Sequence, residues 1–157
     1  MAARAPEGPR VRVAALILLD GKVVLVRHRA RNSTYHLLPG GGVNYRETIE
    51  QALIREVDEE TGLRLEVGRP VLINDTIDPG GNRHVVNLTF LATVVGGQVT
   101  DSPDDPRVEC VELFDVDSLA ELDLRPPLAD AISAILRGEE VAARYLGPLF
   151  REAPQLE

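Results

Sequence analysis

Residues 41–63 read GGVNYRETIEQALIREVDEETGL, a glycine-led loop that runs into a helix. Thr48-Ile49-Glu50-Gln51 has the form of a capping box, in which the threonine oxygen and the glutamine side chain each satisfy a free amide at the helix start. The helix is expected to run to about Thr61, and Gly62 is placed to stop it because glycine takes the left-handed conformation without strain. At the helical period Leu53, Ile54 and Val57 form an apolar stripe, while Glu56, Glu59 and Glu60 occupy the adjoining arc. Carboxylates three and four positions apart repel by roughly 0.2–0.5 kcal/mol per pair on a bare helix. They call for open solvent or a compensating cation, and taken alone a solvated acidic face is the commoner case.

Upstream, two β-rich runs over residues 11–19 and 22–26 flank Asp20-Gly21, a pair that tolerates the positive φ of a tight hairpin turn. Residues 27–33 read as a polar stretch, and residues 36–38 as a short apolar segment. That segment ends at Pro39-Gly40-Gly41-Gly42, where the main chain is expected to bend sharply or approach a ligand closely. Downstream, residues 71–77 and 84–95 are strand candidates separated by Asp78-Pro79-Gly80-Gly81, and residues 107–114 are another. Pro126-Pro127 precedes Leu128, Ala131, Ile132, Ile135 and Leu136, whose spacing marks a second amphipathic helix. Met1 to Pro9 carries no periodic pattern, which assigns residues 1–10 to a mobile leader, 11–150 to one domain and 151–157 to a loose tail.

The 157 residues suit one domain with a sizeable core rather than two. Seventeen Lys and Arg against twenty-five Asp and Glu leave a net charge of −8, which repels a long nucleic acid but not a small phosphorylated ligand bridged by cations. Cys110 is the only cysteine, so neither an intrachain disulfide nor a cysteine metal framework is expected. The apolar run over residues 13–19 is too short to span a membrane, and no cleavage site of a signal peptide follows it. The expected location is the cytoplasm. Oligomeric state stays open, a homodimer included.

The spacing across residues 41–63 is Gly41, five residues, Glu47, seven residues, Arg55-Glu56-Val57, one residue, Glu59-Glu60, one residue, Gly62-Leu63. This resembles a complete Nudix box, with every one of its nine fixed positions filled by the family's residue type. The order of the surrounding elements is similar to the family's fold, so the resemblance implies an α/β protein, an α/β/α sandwich with a mixed β-sheet flanked by helices. It also implies a pyrophosphohydrolase that uses Mg2+ or Mn2+ and a small nucleotide substrate. In that reading Glu56, Glu59 and Glu60 bind the metal with substrate phosphate oxygens, a hard-cation chemistry that suits carboxylates. Arg55 is expected to pair with Glu47, holding the glycine loop against the helix and orienting Glu56. A backbone carbonyl of Gly41, or less readily Gly40, adds a ligand, and both glycines lie against the substrate.

The family also uses an acidic residue beyond the box as ligand or general base. Glu109 is the candidate here, with Asp104, Asp105 and Glu112 as competitors, each of which also reads as an ordinary surface carboxylate. Arg27 and Arg29 are candidates for gripping phosphates as two-pronged donors. Where many relatives carry Trp before the Pro-Gly-Gly segment, this chain has His36 beside Tyr35, so these two are the base-contact candidates. Pro79 lies sixteen residues past Leu63, a spacing that resembles members acting on ADP-ribose, although Asp78–Gly81 reads equally well as a plain loop. ADP-ribose or nucleotide-sugar substrates therefore stand only slightly above nucleoside triphosphates. The rival reading is a catalytically silent nucleotide-sensing module of the same fold. Such modules often lose box carboxylates, and none is lost here.

Overall fold

A computed structural model describes residues 8–139 and 142–152. The expected leader and tail therefore fall partly outside the described residues, at 1–7 and 153–157. Eight strands and two α-helices follow in the order β1 (Arg10–Leu19), β2 (Lys22–Ala30), β3 (Ser33–Leu37), β4 (Gly40–Gly42), α1 (Ile49–Thr61), β5 (Leu63–Ile77), β6 (His84–Gly97), β7 (Val108–Phe114), α2 (Ala129–Leu136) and β8 (Arg144–Pro148), with a 3-10 turn at Val116–Glu121 before α2. Among the described residues no helix is long and apolar enough to cross a membrane.

The sheet is mixed and runs β3-β2-β1-β6-β5-β8, with β4 paired to β1 and β7 to β2. Strand β1 changes partner along its length. It runs parallel to β6 from Arg10 to Ile17, meets β4 at Arg12–Ala14, and turns into β2 through Asp20 and Gly21, both at positive φ. That is the tight hairpin expected of the Asp-Gly pair. Residues Val13 to Ile17 are buried in succession, the mark of a strand covered on both faces.

Alternation along β1 divides the core. Val13, Ala15 and Ile17 pack against Ala52, Leu53 and Val57 of α1, whereas Ala14 and Leu16 pack with Leu119, Ile132 and Ile135 around α2. Each fully buried Leu, Ile or Val removes apolar area worth about 1.5–3 kcal/mol from water, so both helices are fastened to the sheet chiefly by these stripes. The result is the expected sheet between helices. Helix α1 begins on a formed capping box at Thr48 and Gln51 and ends on Gly62 at φ 78°. Ala52, rather than Ile54, fills the third position of its buried stripe, with Ile54 half-buried.

Three elements differ from expectation. Strand β2 continues through the supposed polar stretch to Ala30, because Arg27 and Arg29 occupy alternate positions and share one face of the strand. Strand β5 starts directly after Gly62, since Leu63, Leu65 and Val67 alternate with polar residues before irregular pairing around Pro70. Strand β8 is an edge addition parallel to β5, five residues long and ending in Gly147-Pro148, with little apolar pattern to announce it.

Candidate active site

Helix α1 turns Glu56 and Glu60, one helical turn apart, toward strand β4. Glu60 is 2% exposed and accepts a hydrogen bond from the Gly40 amide at 2.7 Å, while Glu56 is 9% exposed. The absence of side chains in β4 has a steric cause: a Cβ at Gly41 would overlap the Glu56 carboxylate, and one at Gly40 would overlap the Val13 carbonyl. The loop therefore passes over the two carboxylates at backbone distance, which only glycine permits here.

Arg55 ties the loop to the helix. Its guanidinium donates to Glu47 through Nε at 2.7 Å and Nη2 at 2.9 Å, to Glu56 at 2.9 Å, to the Gly42 carbonyl at 3.2 Å and to Glu59 at 3.5 Å. These hydrogen bonds, helped by the Asn44 amide, draw the Glu47 carboxyl down to about 2. The Glu47 bond likewise strengthens the proton affinity of Arg55. Glu59 is held only at the edge of this fan, and its side chain is 42% exposed.

Glu56, Glu60 and the glycine strand form one wall of a cleft of about 540 Å³. Arg10, Arg12 and Arg83 also line it, and among the described residues none of the three has a carboxylate within 4 Å. Arg12 donates to the Leu38 carbonyl at 2.8 Å, and its burial lowers its pKa against the opposing pull of Glu60. His28 completes the floor. Its Nε2 is buried without a hydrogen-bond partner, 3.9 Å from a Glu60 oxygen.

Could this donor set hold a metal? Among the described residues no three His, Cys, Asp or Glu side chains converge to enclose an ion. Two buried carboxylates, beneath a glycine strand where a Cβ at Gly41 would overlap Glu56, do fit Mg2+ or Mn2+. Mg2+ usually takes one or two carboxylates and completes its shell with water and substrate phosphate.

Several residues singled out in the sequence meet in this cleft: Glu56, Glu60, Gly40, Gly41 and Tyr35 line it, with Arg55 and Glu47 bracing it from behind. Glu109, Arg27, Arg29 and His36 do not join them. His28 and Tyr35 are cross-strand partners on the cleft side of β2 and β3, so their neighbours Arg27 and His36, also partners, point to the opposite face. There Glu109 accepts from Arg27 at 3.0 Å and from Arg29, whose hydrogen bond holds its carboxyl below the usual range. His36 and Arg27 meet Glu112 on that same face, each at 3.1 Å.

Of the remaining acidic competitors, Asp105 is bound to Arg107 at 2.6 Å, and exposed Asp104 donates its amide to the Glu59 carbonyl at 2.9 Å, beside α1. Arg10, Arg12, His28 and Arg83 were not anticipated. Their one sequence signal was the pair of arginines interleaved with Val11 and Val13 at the start of β1.

Comparison with known proteins shows the family and the fold. The NUDIX domain model matches residues 8–135. An ADP-ribose pyrophosphatase from Methanocaldococcus jannaschii is 32% identical over 117 residues, which are 73% of this chain and 66% of that protein. Among solved structures, a NUDIX hydrolase from Nitrosomonas europaea superposes with a TM-score of 0.73 at 27% identity, covering 88% of this chain and 93% of the other. A MutT NUDIX hydrolase from Burkholderia pseudomallei gives a TM-score of 0.63 at 36% identity, covering 87% and 100%.

Proposed function

We propose, from the premise that the chain belongs to the NUDIX hydrolase family, that it hydrolyses the diphosphate linkage of a nucleoside diphosphate derivative of the ADP-ribose or nucleotide-sugar kind, with Mg2+ or Mn2+ as cofactor. One observation carries the reading. Two buried carboxylates share a single cleft with Arg10, Arg12 and Arg83, which have no carboxylate within 4 Å among the described residues, in a chain whose net charge is −8. Of the three only Arg12 is half-buried, and such a guanidinium without a carboxylate is costly unless an anion meets it; Glu60, buried and with no Lys or Arg within 4 Å among the described residues, is costly unless a cation meets it. A metal-bound diphosphate answers both.

In this mechanism Glu56, Glu60 and a carbonyl of the Gly40–Gly42 strand would hold the metal. When bound, the metal neutralises phosphoryl charge and lowers the pKa of the attacking water. Arg12, Arg10 and Arg83 orient the non-bridging oxygens and balance their charge as the bond to the leaving phosphate lengthens. Glu56 and Glu60 are the only carboxylates among the described cleft-lining residues, so one of them receives the proton released as water forms the new P–O bond. The bridging P–O bond breaks, and two phosphate monoesters leave. Arg55 acts through Glu56, fixing its orientation by the bond at 2.9 Å.

The ADP-ribose-like preference rests on the name of the Methanocaldococcus relative and on the position of Pro79. The loop that carries Pro79 also carries Asn82 and Arg83, both in the cleft wall. The test is a screen of nucleoside diphosphate derivatives and nucleoside triphosphates with Mg2+, Mn2+ or chelator, with products identified by mass spectrometry in 18O-water. Metal-dependent release of two monophosphates from a diphosphate derivative is expected. Turnover of none of them, or full turnover after exhaustive chelation, refutes the reading.

A further inference from the structure

Beyond the cleft lies a second chamber of about 310 Å³, and Arg12 and Arg83 line both. Arg125 and Arg151 line the second chamber alone, as Arg10 lines the cleft alone. Four guanidiniums thus reach one small cavity from separate parts of the chain: the start of β1, the β5–β6 loop, the approach to α2 and the segment after β8. Arg151 lies past residue 135, where the family match ends. It is nonetheless fastened to the domain: β8 pairs with β5, the Leu149 amide donates to the Asp75 carbonyl at 2.7 Å, and Arg151 donates to the Leu122 carbonyl at 3.0 Å.

What the chamber takes depends on how much of this charge is met within the protein. Asp123 binds Arg125 through two hydrogen bonds, at 3.0 and 2.7 Å, and stands 3.9 Å from Arg151, so one carboxylate faces two cations. Asp78 is the one carboxylate among the described lining residues, and its two oxygens accept from the amides of Gly80 at 3.0 Å and Asn82 at 3.3 Å. Arg12 spends a single N–H on the Leu38 carbonyl at 2.8 Å and keeps the rest of its donor fork open. Burial lowers its pKa and, against the pull of Glu60, so does the charge of Arg83, which puts these two cations within range of each other. Arg83 and Arg151 are exposed, and water meets part of their charge. Even so, positive charge in the chamber exceeds what Asp78 and Asp123 can match, in a chain whose net charge is −8. A cavity between guanidiniums held on different elements selects an anion.

We infer that the second chamber is a subsite for a phosphate monoester that the substrate carries in addition to its scissile diphosphate, met by Arg151 together with Arg83 and Arg12 at the junction with the cleft. The inference rests on the diphosphate reading above and narrows its substrate class to phosphorylated nucleoside diphosphate derivatives, with Arg151 as a specificity-determining residue. A guanidinium meets a phosphate through paired, charge-assisted N–H···O bonds, and one such contact corresponds to about tenfold or more in affinity.

Isothermal titration calorimetry in chelator-containing buffer tests this on intact ligands, using pairs that differ by one phosphate. ADP-ribose is compared with its 2′-phosphate and its 1″-phosphate, and dephospho-coenzyme A with coenzyme A, so that the arms place the extra group at different ends of the molecule. Repulsion of the diphosphate by Glu56 and Glu60 in the absence of metal acts equally on both members of a pair. At least one phosphorylated ligand is expected to bind about tenfold or more tightly than its partner. Arg151→Gln, which keeps a donor for the Leu122 carbonyl, is expected to cut that gain to within about threefold while leaving the partner's Kd unchanged, and Arg151→Lys to restore part of it. Arg83→Gln, on a different element, reads the same gain if a lowered Tm shows that Arg151→Gln loosens the C-terminal segment. Gains below about threefold in every pair, or no binding of any phosphorylated ligand, overturn the inference, as does a gain that survives both Arg151→Gln and Arg83→Gln. If the chain hydrolyses nothing, these affinities still decide the matter. If the gain is missing, hydrolysis of unphosphorylated diphosphate derivatives still stands on its own screen.

Discussion

Replacing Glu60 with Gln separates a metal-bearing helix from a merely acidic one. Glu60 is 2% exposed, and its Oε1 accepts from the Gly40 amide at 2.7 Å. Among the described residues its only basic side-chain neighbour within 4 Å is the His28 imidazole, at 3.9 Å. Glu60→Gln keeps the acceptor for Gly40 and removes a negative charge from a buried place beside Glu56. In metal-free buffer the variant should therefore unfold at the same temperature as the native chain or higher. Glu60→Ala leaves the Gly40 amide without its partner, which costs about 1–3 kcal/mol, or roughly 2–10 °C in Tm for a domain of this size.

With Mg2+ the order reverses. A cation present at a hundred times its Kd adds about 2.7 kcal/mol to the native state, or roughly 5–10 °C. Most of that gain should be missing from Glu60→Gln, and kcat should fall by about 10²–10⁴-fold if the residue also serves in proton transfer. The measurements are thermal unfolding of the three proteins with and without Mg2+, and kcat at saturating Mg2+ on the substrate found in the screen. Near-native kcat together with an undiminished Mg2+ response in Glu60→Gln would refute the assignment of this carboxylate to the metal.

Three further outcomes follow from the same geometry. Gly41→Val places a Cβ on the Glu56 carboxylate, an overlap worth about 1–3 kcal/mol if relieved by displacing that side chain; kcat should drop by about tenfold or more, and steady-state kinetics equal to the native chain's would mean the loop is a plain turn. Glu47 has a folded pKa of about 2, below its ordinary 4.5, so the stability it contributes is fully present above about pH 4.5 and is lost as pH falls through 2. The Tm gap between the native chain and Glu47→Gln should thus be constant from pH 7 to about pH 5, shrink between about 4.5 and 2, and close below that, and a gap that grows on acidification would contradict the Arg55 pairing. Glu109→Gln should leave kcat nearly unchanged, because that carboxylate lies with Arg27 and Arg29 on the face of the sheet away from the cleft; a collapse of turnover in a folded variant would return Glu109 to the chemistry.

What could be read from the chain alone was whatever depends on local spacing. Capping at Thr48 and Gln51, the stop at Gly62, and the carboxylate arc of Glu56, Glu59 and Glu60 are all set within a single helix, where three or four positions fix a neighbour. Glu59 nonetheless stays 42% exposed and outside the cleft lining. The turn at Asp20-Gly21 is equally local. Facing direction across strands is not, because one residue of register exchanges the two faces of a sheet. Between Arg27 and His28 the pairing of β2 with β7 shifts register, so the side taken by Glu109 follows from an irregularity with no signature in its own sequence. Tyr35 and His36, adjacent and equally aromatic in the sequence, were separated by the same alternation, one into the cleft and one against Glu112.

The arginines were missed for a different physical reason. An arginine in a strand reads as solvent-facing, and only the tertiary arrangement reveals that Arg12 lies in a cleft with two buried glutamates and, among the described residues, no carboxylate of its own within 4 Å. That Glu60 has no Lys or Arg and Arg12 no carboxylate within 4 Å, among the described residues of one cavity, is a property of the assembled fold. It is also the feature that tells a bound diphosphate from a bound metal alone: carboxylates by themselves need a cation, whereas carboxylates beside unpaired guanidiniums need a cation and an anion together.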